Sequence, residues 1–359
     1  MHALVTGGGG FLGRYIVEQL VAQGDRVRSL GRGPYPELEA IGVEVHRGDV
    51  GDRTAVLKAC KGIDCVFHVA AIAGIGVDWH PFERVNVRGT EHVLQACREH
   101  GVERLVYTSS PSVVFAGKDQ CGVDESAPYD FHWMKAHNAH YSMSKALAER
   151  AVLAANGGEL RTCAIRPHLI WGPRDNHLIP RLIDRARSGR LRRVGDGGNQ
   201  VDITYVANAA DAHLQAADAL TSADSPVAGK AYFISQGRSV NCWHWIDEVL
   251  ALVHLPPVRK SLSLQAATRV GAVCEWLFRV LPRSATSGRG FMEPPMTRFL
   301  AAQLATSHWF DISAARRDLG YEPAVSTSEG MRRLGTWLHS AEKGKHRKMA
   351  GRTPRSTSG

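Results

Sequence analysis

No uncharged apolar run in these 359 residues approaches the roughly 20 residues that a bilayer-spanning helix needs, and Val66–Val77 comes nearest. A membrane-spanning segment is therefore not expected. There is no Cys-x-x-Cys pair, and the seven cysteines (60, 65, 97, 121, 163, 242 and 274) are odd in number and scattered. Zinc ribbons and secreted disulfide scaffolds look different, so reduced and mostly buried thiols are expected. Low-complexity sequence is absent outside the ends, which excludes global disorder. The predicted first strand begins at residue 2 and leaves no room for a signal peptide. The expectation is a soluble, cytoplasmic chain. Its 44% hydrophobic and 22% charged residues are ordinary for a globular protein, and its length suits two domains or one large α/β unit with an appendage.

Acid is scarcer than base, and the net charge is +9. Much of that excess lies at one end, where residues 342–359 carry Lys343, Lys345, Arg347, Lys348, Arg352 and Arg355 against Glu342 alone. This stretch is also rich in Gly, Ser, Thr and Pro, so it reads as a disordered basic tail. The body is not notably basic. No nucleic-acid partner is expected, and at most peripheral contact with a membrane.

Through residue 170, short apolar runs alternate with helical patterns, the signature of a doubly wound parallel sheet of Rossmann type. Strands are predicted at His2–Thr6, Arg26–Leu30, Val43–His46, Asp64–Ala70, Arg104–Ser109 and Leu160–Arg166. Helices are predicted at Phe11–Gln23, Asp52–Lys61, Pro81–His100 and Ala139–Ala155. Residues 171–341 are less regular and read mainly as a smaller substrate-binding lobe, some of whose segments return to the first domain. Within it, helices are expected at Leu178–Ser188, Ala207–Leu220, Trp243–Val253, Met296–Ala305 and Ser326–Ser340, and strands at Val201–Tyr205 and Ala231–Ile234. Leu264–Leu281 places Val270, Val273, Cys274, Leu277, Phe278 and Leu281 on one helical stripe, which reads as core-facing. A lid or interfacial helix meeting a lipid-like substrate is the sharper alternative. A loop follows at Arg283–Gly290.

The chemistry begins directly after the first strand, with Thr6-Gly7-Gly8-Gly9-Gly10-Phe11-Leu12-Gly13 leading into a helix. Missing Cβ atoms let the backbone turn tightly and approach a pyrophosphate, which the helix N-terminus then faces. The strand–turn–helix context makes this a strong dinucleotide signal. The second strand ends Val27-Arg28-Ser29-Leu30-Gly31-Arg32, with no acid until Glu37 to bind a ribose 2′-hydroxyl. Arg32, with Ser29 or Arg28, can instead hold a 2′-phosphate, so NADP(H) is favoured and NAD(H) is the alternative. Asp49 follows the third strand, where it can accept from an adenine amino group or simply cap the next helix.

The fifth strand ends Tyr107-Thr108-Ser109-Ser110, at the sheet edge where α/β ligands bind. About thirty residues later, Tyr141 and Lys145 stand at i, i+4 on a predicted helix. A neighbouring ammonium is expected to lower the phenol's pKa toward the range useful for proton transfer. The serine hydroxyl can bind a carbonyl oxygen. Alone, a Tyr-x-x-x-Lys pair is common by chance; in this order after a Gly-rich turn, it reads as catalytic.

These motifs resemble the extended short-chain dehydrogenase/reductase superfamily from residue 1 to about 340. The resemblance rests on the Gly7–Gly13 turn, Asp49, Asn86 in Val85-Asn86-Val87-Arg88-Gly89-Thr90, Ser110, Tyr141 and Lys145, with Arg166–Pro173 similar to the nicotinamide-side loop. The layout is similar to the 3β-hydroxysteroid dehydrogenase branch. More narrowly, Tyr35-Pro36-Glu37-Leu38, Ser110-Pro111-Ser112-Val113, Gly271–Glu275 and Glu293–Phe299 look like bacterial 2-alkyl-3-oxoalkanoate reductases of olefin biosynthesis. That resemblance implies NADPH-dependent reduction of the 3-keto group of a long-chain 2-alkyl-3-oxoalkanoic acid. It implies Tyr141 as general acid, Lys145 on the nicotinamide ribose and Ser110 orienting the carbonyl, with Ser109 one register away. It places Gly7, Gly10, Phe11, Leu12 and Gly13 around the pyrophosphate, and Asp49 and Val50 at adenine. Ala70, Ala71, Asn86, Pro167 and His168 would line the rest of the cofactor path. A homodimer through the 81–100 and 139–155 helices is implied as well.

A steroid or sterol 3β-hydroxy dehydrogenase and a nucleotide-sugar epimerase or dehydratase share this apparatus. A non-catalytic dinucleotide sensor is the reading from another class, and an intact Ser, Tyr and Lys argue against it. The seventeen histidines, including His132, His137 and His140, fit no standard zinc spacing, so no metal is expected. Ile72, Ile75, Phe115 and Trp171 are candidates for an apolar pocket wall, whereas Trp243, Trp245, Trp309 and Trp337 read as core.

Overall fold

The computed structural model describes residues 1–222, 224–280 and 294–350, without the side chains of 341–350. Its centre is a seven-stranded parallel sheet: β1 (His2–Thr6), β2 (Arg26–Gly31), β3 (Glu44–Arg47), β4 (Cys65–His68), β5 (Arg104–Thr108), β6 (Arg161–Pro167) and β7 (Ala231–Ile234). The spatial order is β7-β6-β5-β4-β1-β2-β3. The order reverses beside β1, and the crevice outside the carboxyl ends of β1 and β4 is where such sheets bind ligands. Strand β4 is buried at every position and β1 from Ala3 on, which explains their near-continuous apolar runs.

Helix Phe11–Ala22 buries Leu12, Ile16, Val17 and Leu20 on one side and packs against helix Val206–Ala219. That second helix and β7 belong to the large sheet although they follow residue 170 in sequence. Beyond them, Trp171, Tyr205, Trp243, Trp245 and Ile246 gather into a separate apolar core. Trp171 is therefore interior packing and not a pocket wall.

A small sheet of strands Val240–Asn241, Gln200–Val201, His308–Phe310 and Gln120–Val123 borders this lobe. The last two have no counterpart among the predicted elements. They are three and four residues long, and each is stabilised by a partner almost 190 residues away, beyond any local pattern. The expected strand Val201–Tyr205 is broken into Gln200–Val201 and Thr204–Tyr205, which join different sheets.

Three expectations need correction. Within the expected helix 81–100, residues Glu83–Arg88 wind as a π-helix before the α-helix Gly89–Glu99. Helix Leu264–Val280 does not turn its bulky stripe to the core: Val270, Val273 and Leu277 are exposed, and the buried positions are Ala267, Gly271 and Glu275. The reason is close backbone packing, because a Cβ on Gly271 would lie 2.6 Å from the Thr297 carbonyl carbon. Only small residues fit that side. The basic stretch expected to be disordered from 342 is helical as far as Ala350, continuing Thr327–Ala350 through a run rich in good helix formers. Leu281, Glu293 and the loop expected at Arg283–Gly290 lie outside the described residues, as does 351–359.

Candidate active site

The glycine-rich turn closes against the end of β4. Gly7 adopts φ +72°, and a Cβ there would sit 3.0 Å from the backbone of Ala70. A Cβ on Gly13 would sit 2.2 Å from the Gly7 carbonyl oxygen. The Gly10 amide donates to that same oxygen at 2.8 Å, and Gly10 caps the helix without any side-chain acceptor for the first-turn amides. The first turn also carries no acidic residue. The cradle thus presents open N–H groups and the positive end of a helix, which fits a pyrophosphate. Phe11 is half-buried and Leu12 buried behind it.

A buried chain of hydrogen bonds, not anticipated from sequence, braces this cradle. The Thr6 hydroxyl accepts from the amides of Val69 and Ala70 (3.1 Å each) and donates to His68 Nδ1 at 2.7 Å. His68 Nε2 then donates to Thr90 Oγ1 at 2.9 Å, and Thr90 donates to the Asn86 carbonyl at 2.7 Å. Only the neutral Nε2–H tautomer satisfies both ends. Burial accordingly pushes the His68 pKa down to about 3, with the Lys145 charge acting in the same direction.

After β3, Asp49 accepts from the Gly51 amide, and Arg84 grips its two oxygens at 3.2 Å each. Burial opposes ionisation, but these bonds hold its carboxyl below the usual range. Asp52, not Asp49, caps the following helix. Val50 is buried against Gly89. Neither expected helper of Arg32 is available: Arg28 is committed to Glu44 and to the carbonyls of Ala59 and Lys61, and Ser29 is buried beneath Gly8. Arg32 itself is exposed. Tyr35, at φ +44°, lays its ring across Gly9, Gly31 and Gly33, a placement no sequence signal gave.

Around the reacting end, helix His140–Ala154 carries Tyr141 and Lys145 toward the tip of β5. Ser110 opens a short 3-10 turn, and its hydroxyl faces the Tyr141 phenol; the Ser109 hydroxyl is buried with no partner among the described residues. Burial raises the Tyr141 pKa, and the Ser110 hydrogen bond partly offsets it. Lys145 donates to the Thr108 carbonyl and lies 4.1 Å over the Tyr107 ring, so its charge is not spent on lowering Tyr141 as expected. Burial brings Lys145 down to about 7, against the pull of Glu149. Thr108 is held in turn, its hydroxyl donating to His213 Nε2 at 2.8 Å while His213 Nδ1 donates to Ala209.

Asn86, on the π-helix, has a fully committed amide: it accepts from the Ile72 amide and donates to the Ile72 carbonyl and to Ser144 on the helix of Tyr141. It holds the loop after β4 onto that helix. Of that loop, Ala70 is partly buried and Ala71 exposed. Pro167 ends β6, and His168 stacks on His308 at the junction of the sheets, its Nε2 2.9 Å from His308 Nδ1. A narrow crevice runs past Tyr141, lined by Gly74, Ile75, His140, Thr297 and Phe299. Phe115 stands behind Phe299 and not on the wall itself. No cluster of three or more potential metal ligands occurs among the described residues.

Fold and site together define an NAD(P)-dependent oxidoreductase. Residues 4–256 match the model of the 3-beta hydroxysteroid dehydrogenase/isomerase family, and the chain belongs to that family. It is 49% identical over 339 residues to a 2-alkyl-3-oxoalkanoate reductase of Stenotrophomonas maltophilia, covering 93% of this chain and 98% of the relative. A protein of the same description from Shewanella oneidensis is 45% identical over 340 residues, covering 93% and 85%. Among solved structures, that of gox2253 superposes with a TM-score of 0.74 at 26% identity, covering 94% of this chain and 98% of that one.

Proposed function

We propose that this protein is an NADPH-dependent ketoreductase that converts the 3-keto group of a long-chain 2-alkyl-3-oxoalkanoic acid to the 3-hydroxy acid. The observation that carries the reading is the pairing of Ser110 with a Tyr141 phenol that burial keeps protonated, on the wall of a narrow crevice that Ile75 and Phe299 also line. Reduction needs a proton donor at the carbonyl oxygen, and a phenol with a raised pKa enters the reaction in that form. The relatives' printed activity supports the same substrate class.

The bound nicotinamide would supply the hydride. Gly7, Gly10 and Gly13 would hold its pyrophosphate, and Arg32 the 2′-phosphate, since no acid stands at the end of β2 to repel it. Ser110 orients the substrate carbonyl and shares the charge that grows on its oxygen. Tyr141 passes its phenolic proton to that oxygen, the Ser110 hydrogen bond favours the phenolate left behind, and Lys145 would bind the ribose. Ile75 and Phe299 flank the alkyl chains.

The test is NADPH oxidation by the purified chain with a 2-alkyl-3-keto acid, beside NADH and beside a 3-ketosteroid. Turnover of the keto acid with NADPH is expected. Turnover of the steroid alone would move the protein to sterol oxidoreduction with the same residues.

A further inference from the structure

Helix Leu264–Val280 carries an apolar face where a solvent-facing helix is ordinarily polar. Val273 and Trp276 are 57% and 62% exposed, and Val270, Leu277 and Val280 are exposed beside them. At three- and four-residue spacing they form one stripe opposite Ala267, Gly271 and Glu275. Contiguous exposed apolar side chains of this size mark a surface that something covers.

Charge indicates what covers it. From residue 256 to 280 the cations are Arg259, Lys260, Arg269 and Arg279, all exposed. The one acid there, Glu275, is buried in an ion pair with Arg298. A second copy of the helix, meeting it across a two-fold axis, would set arginines against arginines with no acid to compensate. On the helical projection Arg269 falls within the apolar stripe. A protein interface would have to bury that charge, whereas at a lipid surface its long stem lies along hydrocarbon and its guanidinium reaches the phosphates.

The opposite, buried side of the helix adjoins the candidate site. Glu275 accepts from the Arg298 amide and guanidinium and from the Asn138 side-chain amide. Arg279 donates to the same Asn138, three residues before Tyr141. Thr297 and Phe299, at the start of the helix that packs on this one, line the crevice beside Tyr141.

We propose that the outer face of Leu264–Val280 docks the protein on an anionic lipid surface, with the crevice beside Tyr141 on the inner side of the same helix. That this holds the site within a helix's width of a long-chain substrate dissolved in lipid rests on the ketoreductase reading; the docking itself does not.

The test is flotation of the full chain with vesicles of phosphatidylcholine and phosphatidylglycerol in equal parts, and with phosphatidylcholine alone, without substrate or cofactor. The wild type should float with the anionic vesicles. The triple variant Val273→Ser, Trp276→Ser, Leu277→Ser should bind roughly tenfold more weakly, as should Arg259→Gln, Lys260→Gln, Arg269→Gln. Both sets keep the basic C-terminal stretch, so a difference reads this face alone. The charge variant also keeps the apolar face, so it decides the matter should the serine variant fail to fold. A wild type that stays with neither vesicle, or variants that float undiminished, would overturn the proposal. So would a serine variant that turns a wild-type dimer into monomers, because the face would then belong to a second copy. Vesicle binding without turnover of any keto acid would sink the ketoreductase reading and leave the docking intact.

Discussion

Lys145 places its ammonium 4.1 Å above the ring of Tyr107, on the strand next to the helix that carries Tyr141. The ammonium also donates to the Thr108 carbonyl; burial brings its pKa down to about 7, with Glu149 pulling the other way. If the cation is needed for turnover, kcat/KM for reduction declines as pH rises through about 7, because the ammonium is lost there. A pH–rate profile checks this. Lys145→Arg, whose guanidinium cannot deprotonate, should be slower but lack that decline.

Tyr141→Phe removes the proton donor and leaves the glycine cradle untouched. Turnover should fall by orders of magnitude while cofactor binding, measured by nicotinamide fluorescence, stays near the wild-type value. Ser110→Ala should cost about 10²–10³ in kcat, the usual effect of losing one hydrogen-bond donor to a developing oxyanion. Ser109→Ala, at a buried hydroxyl with no hydrogen-bond partner among the described residues, should leave kcat nearly unchanged.

Arg32 is the one arginine at the end of β2 that is not already committed, since Arg28 is tied to Glu44 and two carbonyls. Arg32→Asp should therefore shift the ratio of kcat/KM values from NADPH toward NADH. An unchanged ratio would show that Arg32 does not read the 2′-phosphate.

His68 and His213 are held neutral by burial, with pKa values near 3 and 4. In the unfolded chain both rings return to about 6.5. As pH falls below that value the unfolded state takes up protons the folded state refuses, so stability is lost between about pH 6.5 and pH 4. Denaturant midpoints across this window should flatten in His213→Gln relative to the wild type.

Glu149 and Arg166 form a fully buried ion pair, with Nη2 to Oε1 at 2.6 Å and Nε to Oε2 at 3.0 Å. Glu149→Gln leaves the guanidinium buried without its counter-charge and should destabilise the fold by about 3–5 kcal/mol. Chemical denaturation measures the loss.

The large sheet was legible because its strands are contiguous apolar runs and its helices keep a regular period, both properties of neighbouring residues. The glycine turn, the serine at the tip of β5 and the Tyr–Lys spacing were legible for the same reason: each is a local pattern in a fixed order. Chain sequence alone determined these. What only the tertiary structure decided depends on partners distant in the chain. Strand His308–Phe310 exists because Gln120–Val123 lies beside it. His68 is a brace because Thr6 and Thr90 meet on either side of its ring. Arg28 and Arg32 look alike in sequence until the carbonyls of Ala59 and Lys61 claim the first. The bulky stripe of Leu264–Val280 faces outward because Gly271 must admit the backbone of Thr297, a contact that periodicity cannot encode.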